Sequence, residues 1–149
     1  TAWTKLLAGF ERGRKSAAAI NAPVLSEAGR SHNMQMYWGG AVIALKADVA
    51  LQQQTDGVMT LSKALSGLQG CCLGQGKSWA AKSLFKKLDN ITDTDVFTQL
   101  YDQEVKRRRY PKYTSLLLEL GIKQNDNGGI RFNNAAPKAK IRQRIALSH

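Results

Sequence analysis

The residues best suited to chemistry in this sequence lie around Tyr37. The segment Met36-Tyr37-Trp38-Gly39-Gly40-Ala41 leads into a long apolar stretch. Two consecutive glycines are costly at a helix entrance, so they indicate close backbone packing or the approach of a ligand. A phenol hydroxyl beside them can donate a hydrogen bond at neutral pH. Tyr37 is therefore interpreted either as a packing aromatic or as a functional donor, with Gly39 and Gly40 as candidate substrate-binding residues.

Other patterns for metal or phosphate chemistry are incomplete. A catalytic zinc site needs at least three well-placed ligands, but the sequence has two histidines, His32 and His149, and no H-E-x-x-H segment. We therefore expect no metal site within this chain. The segment 74–78, Gly-Gln-Gly-Lys-Ser, resembles a phosphate-binding loop, yet Cys71 occupies the position of the required first glycine. This segment is interpreted as a loop that leads into a capped helix.

The net charge of +11 is concentrated in two short segments. Residues 106–112 include five basic residues and residues 137–149 include four, with no acidic residue in either segment. Such segments are either solvated and flexible or form a surface that binds nucleic-acid phosphates. Basic residues at a helix C-terminus also suit the helix dipole, which favours the first interpretation for residues 107–109.

Composition and proline placement predict an all-α fold. The chain has 149 residues, of which 43% are apolar and 22% charged, as in one ordinary soluble domain. No apolar run is long enough to span a membrane. Prolines are absent from residues 24–110, and strand-like alternation is scarce. We expect an irregular bundle of about six helices in one domain over residues 1–149, with a flexible basic tail at 133–149.

Apolar spacing and stop signals predict the elements that would position Tyr37. The predicted helices are Trp3–Ile20, Met34–Gln54, Leu61–Leu68, Trp79–Leu88 after a Ser78 cap, a helix from Val96 into the basic segment after the start signal at 92–95, and Tyr113–Leu120. An irregular connector is expected at 23–32 and a glycine-rich loop at 70–76. A short strand at Ile130–Phe132 and a basic helix at Ala139–Leu147 complete the prediction.

The order of several segments resembles a known family. Tyr37-Trp38-Gly39-Gly40-Ala41 and the apolar segment 43–51 are similar to the C-terminal helical part of glycyl aminopeptidase-type zinc metallopeptidases of the gluzincin group. The later segments that are similar to this family, in part to a bacterial subgroup of it, are Leu61–Leu65, Cys71–Leu73, Trp79, Leu84–Phe85, Val96–Tyr101, Leu116–Ile122 and Ala136–Arg142. The resemblance covers most of the chain from about residue 30 onward.

The resemblance implies a role for Tyr37. In the wider group, a tyrosine in a Tyr-x-x-Gly pattern points at the zinc site, and Tyr37 and Gly40 match that spacing. Position 39 is glycine where many relatives have a basic residue. By this resemblance Tyr37 donates a hydrogen bond to the tetrahedral intermediate of peptide hydrolysis, while the zinc ligands and the catalytic glutamate lie before residue 1. This chain alone would then be inactive.

Three functions are compared. The first is a helical C-terminal subdomain that forms one wall of a zinc aminopeptidase active site, with the N-terminal catalytic part as partner and a peptide as substrate; it predicts an exposed apolar face near Tyr37. The second is a basic helical module that binds nucleic acid, which requires the two basic segments to form one patch. The third is a helical interaction module without chemistry.

Overall fold

The computed structural model describes residues 2–19, 25–71, 80–107 and 109–147, and these are mostly helical. The helices are α1 (Ala2–Ala19), α2 (Leu25–Thr55), α3 (Leu61–Cys71), α4 (Ala81–Thr92), α5 (Val96–Leu100), a π-helical turn at Tyr101–Val105, α6 (Thr114–Leu120) and α7 (Ala139–Leu147). Strands β1 (Ile122–Gln124) and β2 (Ile130–Phe132) form a two-stranded antiparallel sheet. The predicted all-α multi-helix class with a short strand-like segment near the C-terminus is confirmed.

The chain divides into two compact units. The first unit comprises residues 1–43 and 109–149, and the second comprises residues 44–108. Helix α2 contributes its N-terminal half to the first unit and its C-terminal half to the second. None of the described helices combines the length and apolar character of a membrane span.

The second unit has a core built from α2 to α5. Its buried side chains are Ala47, Leu51, Ala64, Leu68, Leu88, Val96, Phe97 and Leu100. Helix α2 ends at Thr55, one residue after the predicted end at Gln54, and both Asp56 and Gly57 have positive φ. The Asp48 carboxylate accepts a hydrogen bond of 3.0 Å from the Leu61 backbone N–H, which ties the start of α3 to α2.

The start of α5 is stabilised by Asp89, a residue of α4. The Asp89 side chain is 9% exposed. Its carboxylate accepts hydrogen bonds from the backbone N–H groups of Phe97 (2.8 Å) and Thr98 (3.1 Å), two donors that the helix itself leaves unpaired. The start signal predicted at 92–95 is confirmed, since α5 begins at Val96. Asp95 itself makes no side-chain capping bond and instead accepts a hydrogen bond from Gln99 at 2.7 Å.

The first unit buries apolar side chains of α1, the N-terminal half of α2, α6, β1 and α7. Its buried apolar side chains include Trp3, Leu7, Phe10, Leu116, Leu117, Leu120, Ile122, Ala139, Ile141 and Ile145. Helix α6 packs against α7 and β1. It ends where Gly121 adopts a left-handed conformation with φ of 75°, as the sequence predicts.

The predicted start of α2 and the predicted end of α4 are wrong. Residues 25–32 are helical, because α2 begins at Leu25 rather than at Met34. After Pro23 the sequence has no further proline until Pro111, and Glu27, Ala28 and Arg30 are good helix formers. Helix α4 continues past Leu88 to Thr92, since Thr92 is buried and Ile91 packs on the core.

The predicted glycine-rich loop is described only in part. Gly70 lies in the last turn of α3 and not in a loop, and Cys71 is the exposed last residue of that helix. Ser78 and Trp79, the predicted cap and first residue of the next helix, lie outside the described residues, as does the whole segment 74–78 that resembles a phosphate loop. The first residue of α4 follows Ala80, which makes no side-chain capping bond.

Candidate functional site

The candidate site lies on the N-terminal half of α2, within the first unit. Tyr37 is 70% exposed and Met36 is 62% exposed. Gly40 is also exposed, and a Cβ atom built on it would have no other atom within 4 Å. Because residues 36, 37 and 40 share one face of an α-helix, the phenol and the open backbone at Gly40 lie side by side. Met36 and Tyr37 are the two exposed large apolar side chains among the described residues of this helix half. The apolar docking face expected near Tyr37 and the first helix stays a prediction.

Trp38 anchors this segment of α2 to α1. A Cβ atom at Gly9 would overlap three ring atoms of Trp38, and a Cβ atom at Gly13 would come too close to the Trp38 Cβ. The two glycines are four residues apart and therefore form one shallow groove on α1. The Phe10 ring meets the Trp38 ring edge to face, with centroids 6.5 Å apart. Trp38 in turn supports the Tyr37 ring, whose centroid is 5.0 Å away at an interplanar angle of 86°.

Gly39 is buried against Tyr110 and Pro111, which lie within the first basic segment. A Cβ atom on Gly39 would lie 3.5 Å from the Pro111 ring and 3.6 Å from the Tyr110 ring, which is ordinary contact distance. The Tyr110 hydroxyl donates a hydrogen bond of 2.9 Å to the Phe10 carbonyl. Burial, followed by the nearby Glu11 charge, raises the pKa of Tyr110 to about 12. Gly39 therefore faces the interior, whereas Gly40 faces outward, and the assignment of both to substrate binding stays a prediction.

A polar network lies beside this aromatic cluster. The Tyr113 hydroxyl donates a hydrogen bond of 2.8 Å to the Glu11 carboxylate, which also pairs with the Arg14 guanidinium one turn along α1. The hydrogen bond from Arg14 is the largest influence on Glu11, and it lowers the pKa of that carboxyl to about 2 despite the opposing effect of burial. Burial, then the hydrogen bond to Glu11, raises the pKa of Tyr113.

We expect this network to give acid-sensitive stability. Glu11 has a folded-state pKa of about 2, below its ordinary value of 4.5, so the stabilisation is complete above pH 4.5 and is lost as the pH falls toward 2. The Glu11 and Arg14 side chains are 42% and 54% exposed, so solvent screening keeps this contribution small. Urea titrations of Glu11→Gln should show a smaller loss of unfolding free energy between these pH values than the parent chain shows.

The matched control for this prediction is Asp126→Asn. Asp126 is exposed and makes no hydrogen bond or ion pair with the described residues. Its removal should leave the acid slope of the unfolding free energy unchanged. An equal slope for Glu11→Gln and the parent chain would show that the carboxylate contributes nothing measurable to the folded state.

Not every basic residue of the C-terminal segment is exposed at the surface. Arg142, one of the four basic residues of the tail, is 3% exposed. Its guanidinium donates to the carbonyl oxygens of Leu120 at 2.8 Å and Gly121 at 3.2 Å, and it lies 4.5 Å from the centroid of the Phe132 ring. Burial lowers the pKa of Arg142. This cation therefore holds the end of α6 and is not available at the surface.

The described residues do not fit a zinc site. No group of three or more histidine, cysteine, aspartate or glutamate residues among them could hold a metal ion. The side chains of His32 and His149 lie outside the described residues.

Several residues that position Trp38 and Gly39 could not be recognised as part of the site from the sequence. Gly9 and Gly13 have the four-residue spacing of a packing groove, but an isolated pair of glycines is common in helices that lack one. Tyr110 and Tyr113 stand out in the sequence as aromatics near the basic run, and their contacts with α1 connect positions about 100 residues apart. No pattern of local spacing indicates such a pairing.

Comparison with known proteins adds no further information. No family model, curated protein or solved structure matches this chain.

Proposed function

We propose that this chain forms the helical wall of the active-site cleft in a zinc aminopeptidase-like protein, where Tyr37 acts as a hydrogen-bond donor to the reacting peptide. The observation that carries the proposal is the exposure of Tyr37, 70%, on a helix whose next two residues are held by packing. The resemblance of Tyr37 and Gly40 to the Tyr-x-x-Gly pattern supplies the chemistry.

The anchoring of α2 suits such a role. Trp38 packs against α1 and Gly39 lies against Tyr110 and Pro111, so the backbone that follows Tyr37 is constrained. A hydrogen-bond donor that is already oriented needs little reorganisation when negative charge develops on the substrate oxygen. A side chain whose backbone could rotate freely would lose much of this benefit.

The substrate in this proposal is a peptide, and Tyr37 acts on its scissile carbonyl oxygen. As the carbonyl becomes tetrahedral, the oxygen gains negative charge and the hydrogen bond from the phenol strengthens. The absence of a side chain at Gly40 leaves space beside the phenol for the peptide backbone. The zinc ion, which would polarise the carbonyl and activate water, and the general base belong to the partner in this proposal, the N-terminal catalytic part of the same protein.

The first test is the full reading frame. The proposal requires an H-E-x-x-H segment with a downstream glutamate N-terminal to the present sequence. A full-length protein without these residues would overturn it and favour a helical interaction module. Where they are present, hydrolysis of peptides with an N-terminal glycine measures the activity.

The second test is Tyr37→Phe in the full-length protein. Loss of one oxyanion donor is expected to lower kcat about 100-fold. KM should change little, because the hydrogen bond strengthens mainly in the transition state. Tyr101→Phe is the matched control, since it removes a hydroxyl of the second unit that makes no hydrogen bond with the described residues. Equal activity of Tyr37→Phe and the parent enzyme would exclude the proposed role.

A further inference from the structure

The turn between β1 and β2 contains an asparagine followed by glycine, Asn127-Gly128. Asn127 is exposed, and it is the one asparagine among seven in the sequence that precedes a glycine. Gly128 has φ of 83°, and a Cβ atom built on it would meet no other atom within 4 Å. The backbone nitrogen after Asn127 is therefore free of the steric shielding that any other residue at position 128 would provide.

The Asn127 side chain folds back over the following backbone. Its Oδ1 atom accepts a hydrogen bond of 3.1 Å from the Gly129 backbone N–H. In such an Asx turn the side-chain carbonyl carbon lies beside the intervening nitrogen, that of Gly128. The same hydrogen bond draws electron density from the side-chain carbonyl and makes its carbon more electrophilic.

Attack by the Gly128 nitrogen on the Asn127 side chain requires the hydrogen bond of the Gly128 N–H to open. The Gly128 backbone N–H donates to the Asn125 carbonyl at 3.1 Å. Residues 125–128 are all exposed, so few packed contacts oppose opening of this bond. The strands on either side remain paired through the Gln124–Ile130 and Ile122–Phe132 positions.

We propose that Asn127 deamidates spontaneously in the folded protein through attack by the Gly128 nitrogen. Hydroxide removes the Gly128 amide proton, and the nitrogen forms a bond to the Asn127 side-chain carbon. The bond from that carbon to Nδ2 breaks, and Nδ2 takes a proton from water and leaves as ammonia. Water then opens the resulting cyclic imide at either carbonyl and gives aspartate or isoaspartate. The net reaction consumes one water, releases one ammonia and involves no oxidation.

This reaction changes both the charge and the backbone of the turn. The product carries a carboxylate next to Asp126, and the net charge falls by one. Isoaspartate also adds one atom to the main chain inside a turn closed by the 2.7 Å bond from the Asn125 N–H to the Gly129 carbonyl. We therefore expect the isoaspartate form to lose protection of the neighbouring strand amides against hydrogen exchange.

The experiment incubates the full chain at mildly alkaline pH and maps the product by mass spectrometry. Trypsin cleaves after Lys123 and Arg131 and releases the peptide 124–131, which contains both Asn125 and Asn127. The expected result is exchange of an amide for a carboxyl at Asn127, with the other asparagines unchanged over the same period. Labelling by an isoaspartyl methyltransferase should detect the isoaspartate fraction.

Asn127→Gln is the matched variant, because a glutamine would need a six-membered ring and reacts far more slowly. It should abolish the modification, whereas Asn125→Gln should leave it unchanged. Modification spread evenly over several asparagines would overturn the proposal. The same conclusion would follow if Asn127 stays intact in the folded chain while it reacts in the urea-unfolded chain.

Discussion

Replacement of Gly9 by alanine is expected to lower the free energy of unfolding by about 3 kcal/mol, close to the cost of removing a large aromatic from a core. Alanine has the higher helix propensity, worth about 1 kcal/mol in a helix interior. The added methyl group would, however, overlap the Trp38 ring, which fills the groove at this position. Since overpacked cores force side chains out of place, we expect Trp38 to leave its site against α1.

The control for this prediction lies on the neighbouring helix. Gly40→Ala places the same methyl group in open space, so it should raise the free energy of unfolding by about 0.5–1 kcal/mol. Urea denaturation monitored by tryptophan fluorescence measures both variants. Stabilisation by both substitutions would show that Trp38 does not occupy the groove on α1.

The elements that could be predicted from sequence are those with strong local signals. Helix α2 ends at Thr55 and α6 ends at Gly121, where glycine supplies a left-handed conformation. Strand β2 and helix α7 have the predicted bounds. In α2 and α6 a stop signal beside the last turn marks the end.

The elements that could not be predicted depend on distant residues. The cap of α5 comes from Asp89, eight residues before the first backbone group it binds. Strand β1 follows directly after the C-terminal glycine of α6 and forms because β2 offers a partner. The start of α2 falls where helix-forming residues and weak breakers are mixed, so local spacing gives no clear boundary.

The candidate site also has one part that local sequence predicts and one part that depends on distant residues. The sequence alone leaves Tyr37 as either a packing residue or a functional donor, because an aromatic next to two glycines suits both. The packing role belongs to its neighbour Trp38, which seats against α1, while Tyr37 is exposed. That distinction depends on Gly9 and Gly13, whose effect on position 38 arises only once two helices are in contact.

Replacement of Arg142 by methionine should cost about 3 kcal/mol of unfolding free energy, because a methionine of similar length cannot donate hydrogen bonds. The guanidinium donates to the Leu120 and Gly121 carbonyls and to the Asn134 side chain, and it stacks on Phe132. The last carbonyls of a helix have no partner of their own and carry partial negative charge. A buried cation at this point satisfies both requirements, and its loss would leave the Leu120 carbonyl buried without a donor.

Two further variants separate this role from the loss of charge alone. Lys140→Met removes an exposed cation from the same helix and should change stability by no more than about 0.5 kcal/mol. Arg142→Lys keeps the charge but loses the planar fork, so it should lie between the parent chain and Arg142→Met in urea denaturation. If both methionine variants had the same small effect, Arg142 would be a solvated cation of the basic tail. A large loss of stability for Arg142→Met alone would instead show that the buried Arg142 guanidinium stabilises the fold of the basic segment 137–149.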